Sequence, residues 1–312
     1  MQKKNMAYRF LQMLFTMVGV SFLTFSLLYL APGDPVEMIL EVGDTIVSPE
    51  VVAQTRAQLG LDQPFHVQYF RWLVHVLQGD LGMSYSAKMP VADKLWQALP
   101  GTLALAGAAT VLMLFISVPC GIIAAVYRNK PIDYAIRGLS FFGISMPSFW
   151  VGLILLYVFG LKLGLFPIAG GVVSLDRMVL PACTLAIAMS AKYTRQVRTA
   201  ILEELGQDYI FGARTRGIPL RKILWRHVLP NACLPLITLL GLSIGWLLGG
   251  VAVIEMVFSW PGLGKMAVHA IEMRDYPLVQ GFVLWIALLY MGINLLVDIS
   301  YTYLDPRLKG GR

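Results

Sequence analysis

Ser243 sits in "GLSIG" (241–245), the G-x-S-x-G spacing that in some hydrolases presents a serine to a histidine base, and His269 follows downstream. That chemistry needs a strand–turn–helix elbow, whereas this stretch lies inside an apolar run. Gly241, Gly245 and Gly249 recur every four residues, the spacing of a small-residue helix face that lets another helix approach closely. "PGLGKM" (261–266) imitates the end of a phosphate-binding loop. Ser259 stands where the first glycine is required, and Met266 follows Lys265 in place of Ser or Thr. His66 and His75 fall on different sides of a helix, which disfavours a shared metal. No H-E-x-x-H occurs, so a zinc protease has no ligand set. Cys120, Cys183 and Cys233 lie in or beside apolar runs without metal-type spacing and read as small buried hydrophobes. Glu255 is the first charge after a 28-residue uncharged stretch; an acid there either lines a pore mouth, pairs with a cation, or is hydrated at an interface.

These residues belong to a chain of 312 that is 57% hydrophobic and 14% charged. Soluble domains carry about 25% charged residues, so the whole chain reads as a membrane protein. Five runs without Asp, Glu, Lys or Arg are long enough to cross a bilayer as helix: 10–31, 101–127, 138–161, 227–254 and 276–297. A sixth, 178–191, is shorter and is followed by Lys192, Arg195 and Arg198, whose long side chains can snorkel to the interface. The spacing predicts a spanning helix over 178–200 that continues inward through residue 216. Pro119 and Pro147 are expected inside spans, their freed backbone groups met by neighbouring helices. The first run is too long for a signal-peptide core and "YLAPGDP" offers no A-x-A site, so it reads as a retained anchor.

Six spans put both termini on one side. With the N-terminus inside, the inner segments hold 17 Lys and Arg and the longer outer segments hold 8. The positive-inside rule therefore makes both termini cytoplasmic. The expected organisation is an anchor helix (1–31), a folded outer helical region (32–100), a five-helix core (101–304) carrying a cytoplasmic segment (201–230), and a short tail (305–312). In the outer region Ser48, Pro49 and Gly60 bound one helix. A second helix over 64–78 places Phe65, Tyr69, Trp72, Leu73 and Val76 along one face. This region reads either as a docking surface or lid, or as a structural cap.

The densest basic segment is "GARTRGIPLRKILWRHVLP" (212–230), with five Lys and Arg, His227 and no acid. Arg214 and Arg216 suit the end of a helix, Gly217 its left-handed stop, and Pro219 the start of the next. Leu220, Ile223, Leu224 and His227 then share one face, and Arg221, Lys222, Trp225 and Arg226 the other. Two short helices meeting at an elbow, held between two spans, can transmit force to a cytoplasmic partner. Topology and anionic headgroups account for some of the charge but not for Gly217 and Pro219 at that spacing. The segment carries no nucleic-acid motif, so nucleic acid is not an expected partner.

Here the chain resembles the permeases of binding-protein-dependent ABC importers. Ala213, Gly217 and Leu229-Pro230 match their cytoplasmic loop signature, A-x-x-x-G, nine residues, then a position followed by x-L-P. His227 stands where isoleucine is common, and Phe211 where many relatives have an acid. "APGDP" (31–35), "LGLDQPFHVQYFRWL" (59–73), "GDLGMSYS" (79–86), "VFSWPGLGKMAVHAIEMRDYPLVQG" (257–281) and "DPRL" (305–308) look like the dipeptide, oligopeptide and nickel branch, B-type subunit. The resemblance implies an all-α polytopic fold of the inner membrane with six transmembrane helices. It implies that the elbow, with Asp208, Ala213, Arg214, Gly217, Leu220, Leu229 and Pro230, couples to one or two cytoplasmic ATPase subunits. These subunits, not this chain, would bind ATP and Mg²⁺. A homologous second permease would complete the pore, a binding protein would deliver solute from outside, and Glu255 would be a candidate on the solute path. The competing expectations are a stand-alone secondary transporter, for which no span holds a mid-membrane ionisable residue, and an intramembrane serine protease using Ser243.

Overall fold

A computed structural model describes residues 2–32, 35–40, 48–168 and 171–304. Along the chain run α1 (Gln2–Leu30), α2 (Pro35–Ile39), α3 (Pro49–Gln58), α4 (Phe65–Leu77), α5 (Val91–Val126), α6 (Pro131–Ser145) and α7 (Ser148–Leu155). A π-helical stretch, Leu156–Lys162, extends α7. Then come α8 (Leu175–Leu205), α9 (Asp208–Thr215) and α10 (Leu220–Ile223), a π-helical turn Leu224–Val228, α11 (Leu229–Gly250), α12 (Ala252–Val257), α13 (Leu263–Glu272) and α14 (Tyr276–Leu304). Among the described residues there is no strand, only an isolated bridge between Met83 and Pro90. The fold is all-α.

Among the described residues, three helices are long and apolar enough to cross a membrane unaided: α1, α5 and α14. Two more candidates are bent pairs. The third apolar run, expected as one span, bends by 99° between α6 and α7. Pro147 explains it. The residue before a proline is driven out of the helical region, and Met146 is extended at φ −91°, ψ 133°. The 227–254 run bends by 49° around Pro235, which removes a donor from the helix ladder. α8 has 31 residues but carries charge along its second half. Large apolar side chains stand exposed on these helices, Phe15 at 81% among them. Apolar surface all round a long helix is what lipid, rather than water, tolerates.

The described chain divides into two compact units, residues 1–100 with 262–291, and residues 101–261 with 292–312. In the first, α4 lies on α1 through aromatic edges. Phe25 and Tyr69 stand 5.4 Å apart and Tyr29 and Phe65 5.1 Å, near-perpendicular in the second case. Such edge-to-face pairs add roughly 0.5–1.5 kcal/mol beyond the area they bury. The α4 stripe anticipated from periodicity thus packs on the first span. Ser21 Oγ and the Tyr69 hydroxyl meet at 3.0 Å in this seam. Below it Val91, Leu95 and Leu99 pack with Leu263, Met266, Ala270 and Leu278. Asp275 caps the last helix, accepting from Leu278 N at 3.2 Å, and gathers Ser84 Oγ (2.5 Å), Ser86 N (2.9 Å) and Ser86 Oγ (2.7 Å).

In the second unit α8 is the hub. Three glycines on other helices let it approach closely. A Cβ at Gly121 of α5 would stand 2.6 Å from Val197 Cβ, one at Gly143 of α6 2.8 Å from Ala191 Cβ, and one at Gly152 of α7 3.2 Å from Thr184 Cγ2. Tyr193 donates to the Leu236 carbonyl of α11 at 2.7 Å. The core around α8 includes Leu105, Met113, Leu185, Ile201, Ile210 and Ile223.

Candidate functional site

The elbow begins where α8 stops. One helix was expected through residue 216, but α8 ends at Leu205. Gly206 caps it, and Gln207, extended at ψ 147°, opens α9. α9 then closes on a Schellman motif: Ile218 N donates to Ala213 O at 3.2 Å and Gly217 N to Arg214 O at 2.9 Å. Gly217 has φ +73°, a conformation that costs other L-residues about 1–2 kcal/mol. Pro219 is the N-cap of α10 rather than its first residue, and its carbonyl receives Lys222 N and Ile223 N. Leu229 and Pro230 stand where the π-helical turn passes into α11; Val228 keeps helical dihedrals at φ −76°, ψ −54°, so the chain runs on without a break.

The elbow is anchored on one side and bare on the other. Ile210, Ala213, Ile223 and Val228 are buried in the α8 core. Asp208, Arg214, Arg216, Leu220, Arg221, Lys222 and Arg226 are exposed. Among these charges stand Phe211 and Trp225, the latter 67% exposed. The bare side therefore combines cations with large apolar rings, a mixture common to protein-binding and membrane-interface surfaces. A hydrogen-bonded chain fixes the base: the Tyr209 hydroxyl bonds Glu204 and receives Asn231 Nδ2 at 2.9 Å. This joins the end of α8 to the start of α11.

Sequence reasoning missed an ion pair that joins α6 to α8. Arg198 Nε donates to Asp133 Oδ1 and Nη2 to Oδ2, both at 2.8 Å, and Asp133 is fully buried. Asn129 N adds a third bond to that carboxylate at 2.9 Å. Arg198 thus clamps α6 onto α8, instead of snorkelling. The signal in sequence was a lone acid between Lys130 and Arg137, in the short basic stretch between the 101–127 and 138–161 runs. Arg128, Arg137, Arg195 and Arg198 also line a cleft of about 790 Å³.

Glu255 lies in α12 with 0% exposure, so the hydrated alternative does not hold. Thr102 Oγ1 donates to its Oε1 at 2.7 Å. Beside it the Trp260 indole donates to Gly101 O at 2.8 Å. A Cβ at Gly101 would stand 1.7 Å from Pro261 O. These contacts tie the 252–261 segment to α5 and leave Glu255 no open surface toward a solute in this conformation.

Gly241 is buried against α14: a Cβ there would stand 2.1 Å from Val297 Cγ2. Gly245 is also buried in α11. Gly249 belongs to the same helix, its surroundings outside the described residues. Ser243 donates to Leu239 O at 2.7 Å, inside continuous helix. It has no strand–turn–helix elbow around it. Among the described residues no three His, Cys, Asp or Glu gather as a metal site. "DPRL" (305–308) lies outside the described residues.

The chain matches the profile described as "Binding-protein-dependent transport system inner membrane component" over residues 117–310, and the corresponding N-terminal profile over residues 3–106. It is 36% identical over 324 residues to the dipeptide transport system permease protein of Escherichia coli K12, covering 94% of this chain and 95% of that one. It is 40% identical over 304 residues to the oligopeptide transport system permease protein of Bacillus subtilis 168, with coverage of 94% and 95%. To the glutathione transport system permease protein of Salmonella paratyphi A it is 38% identical over 301 residues, covering 96% and 97%. In fold it is similar to a chain of the inward-facing MetNI methionine ABC transporter, with a TM-score of 0.55 at 18% identity, over 68% of this chain and 96% of that chain.

Proposed function

Because the chain belongs to the family of binding-protein-dependent transport system inner membrane components, we propose that it is one half of the pore of a peptide importer, worked through its 208–230 elbow. It is a multi-pass permease subunit of an ABC importer. In this reading a homologous second permease completes the pore. Cytoplasmic ATPase subunits bind ATP and Mg²⁺ and grip the elbow, and an extracytoplasmic binding protein delivers solute. The chain has six spans with both termini inside: α1, α5, the α6–α7 pair, α8, the α10–α11 pair and α14. Short peptides are the solute class, in line with the names of the relatives.

The elbow's two-sidedness carries this reading. Its buried residues join the α8 core, so a force on its bare face reaches α8 and α11 together. Through Arg198 and Asp133 the same force reaches α6. The ring-and-cation surface of Phe211, Trp225, Arg214, Arg221 and Arg226 is the face for the ATPase. Gly241 lets α14 pack closely on α11, so the lever moves a stiff body. Glu255 and Trp260 hold the 252–261 segment to α5.

The test is charge reversal on the bare face. Arg214→Glu, Arg221→Glu and Arg226→Glu together should leave the permease pair assembled in the membrane while ATPase subunits no longer co-purify and peptide uptake stops. Co-purification and uptake at normal levels in that triple variant would refute the reading.

A further inference from the structure

The first unit holds a cavity of about 490 Å³ whose walls come from α1, α3, α4, the 79–90 loop and the start of α14. That size is within the range of small-molecule sites. Its chemistry is one-sided. Arg56, Arg71 and His75 line it, and none of its lining residues is Asp or Glu. No ion pair to Arg71 occurs among the described residues. Gln68, Arg71, Trp72 and His75 fall at i, i+3, i+4 and i+7 of α4, so one stripe of that helix is given to the cavity. Gly60, at φ +68°, leaves room for the arginine: a Cβ there would stand 2.8 Å from Arg71 Nη1.

Two further features point to an occupant. Gln280 lines the cavity at only 6% exposure, and no described residue hydrogen-bonds its amide. Its amide is not among the fully enclosed unpartnered groups, so its donor and acceptor open into the cavity, available to an occupant. The wall opposite α4 is also pre-set. Asp275 fixes Ser84 and Ser86 on either side of Tyr85 and caps the helix that carries Tyr276, Pro277 and Gln280. Burial and the Asp275 charge push the Tyr85 phenol up to about 12; like any phenol it is a hydrogen-bond donor at neutral pH. The rings of Phe25, Tyr29 and Trp72 supply the apolar part.

We propose that this cavity is a receiving site for short peptides with a free C-terminal carboxylate, the carboxylate on Arg71, a peptide amide on Gln280 and a side chain against the Phe25 and Trp72 rings. An arginine fork matches a carboxylate in two bonds, and a carboxamide can both donate to and accept from a peptide group. Hydrated metal cations find no acid here. The proposal rests on the importer reading for the side of the membrane and the solute class, and adds which chemical group is recognised.

The experiment uses the assembled importer in nanodiscs without its binding protein, with the dipeptide Ala-Phe and its C-terminal amide as probes, read by calorimetry and saturation-transfer NMR. Ala-Phe should bind at least tenfold more tightly than the amide. Arg71→Ala and Gln280→Leu should each weaken Ala-Phe at least tenfold, and Arg71→Lys should weaken it less, with assembly checked by gel filtration. Equal binding of acid and amide, no binding of either, or unchanged affinity in Arg71→Ala would overturn the proposal. Those results, with ATP-driven peptide uptake intact, would remove the pocket alone. Absence of ATP-driven uptake by the wild-type assembly with its binding protein would remove the importer reading instead.

Discussion

Single residues do two kinds of work here, and Asp133 and Glu255 show the difference. Asp133 is buried with a bidentate arginine and a backbone donor. Hydrogen bonds to charged groups contribute about 1.5–3 kcal/mol each. A double-mutant cycle of Asp133→Ala and Arg198→Ala, followed by thermal unfolding in nanodiscs, should give a coupling of that order; additive effects would mean the pair is incidental. Glu255 accepts from Thr102. Glu255→Gln keeps an acceptor at that oxygen and should unfold near the wild-type temperature, whereas Glu255→Ala should lose roughly 1–3 kcal/mol. If the two variants were equally stable while both lost uptake, the carboxylate would act on the solute rather than on Thr102. Neither partnership was legible in sequence. An acid and its partner 65 or 153 positions apart are joined only by helix packing, which local spacing does not encode.

At the scale of elements, the turn chemistry was legible and the breaks were less so. Pro49, Gly60 and Gly79 bound α3 and α4 as their residue types dictate, with both glycines at positive φ, whereas Ser48 holds the N-cap position but gives its hydroxyl to Glu50 rather than to a backbone cap. Gly217 does the same for α9. Position 217 has no neighbour within 4 Å of a built Cβ, so only backbone strain decides what it tolerates. Asparagine enters the left-handed region readily and β-branched residues do not. Gly217→Asn should therefore keep most ATP-dependent uptake, and Gly217→Val should lose most of it; equal uptake would show that the elbow's angle is irrelevant. What hydropathy hid was bending. Runs 138–161 and 227–254 look continuous because neither Pro147 nor Pro235 brings a charge, yet Pro147 breaks the helix and Pro235 bends it. Gly206-Gln207 escaped notice because polar residues flank it on both sides. The α4 stripe was found as an apolar face; its second, polar stripe facing a cavity needed the structure to be seen.

For the whole molecule, composition already excluded a soluble domain, and the order of motifs named the family before any coordinates. The solute was not legible, since the cavity proposed to receive it is lined by two glutamines, two arginines, His75 and a few rings brought together from distant segments. Topology gives a direct prediction. A single cysteine at Arg56 should react with a membrane-impermeant maleimide from outside intact cells, and one at Arg216 only after the membrane is opened. The reverse pattern would invert every assignment of side. Cys120, Cys183 and Cys233 need prior replacement, Cys233 being exposed.

The most direct measurement is a cross-link between the elbow and the ATPase. In the assembled, otherwise cysteine-free importer, cysteines at Arg214 or Lys222 should join an ATPase subunit with a short bifunctional maleimide, and the joined complex should stop peptide uptake until a cleavable linker is cut. No cross-link from either position in a complex that still imports peptide on ATP would contradict the account at its centre.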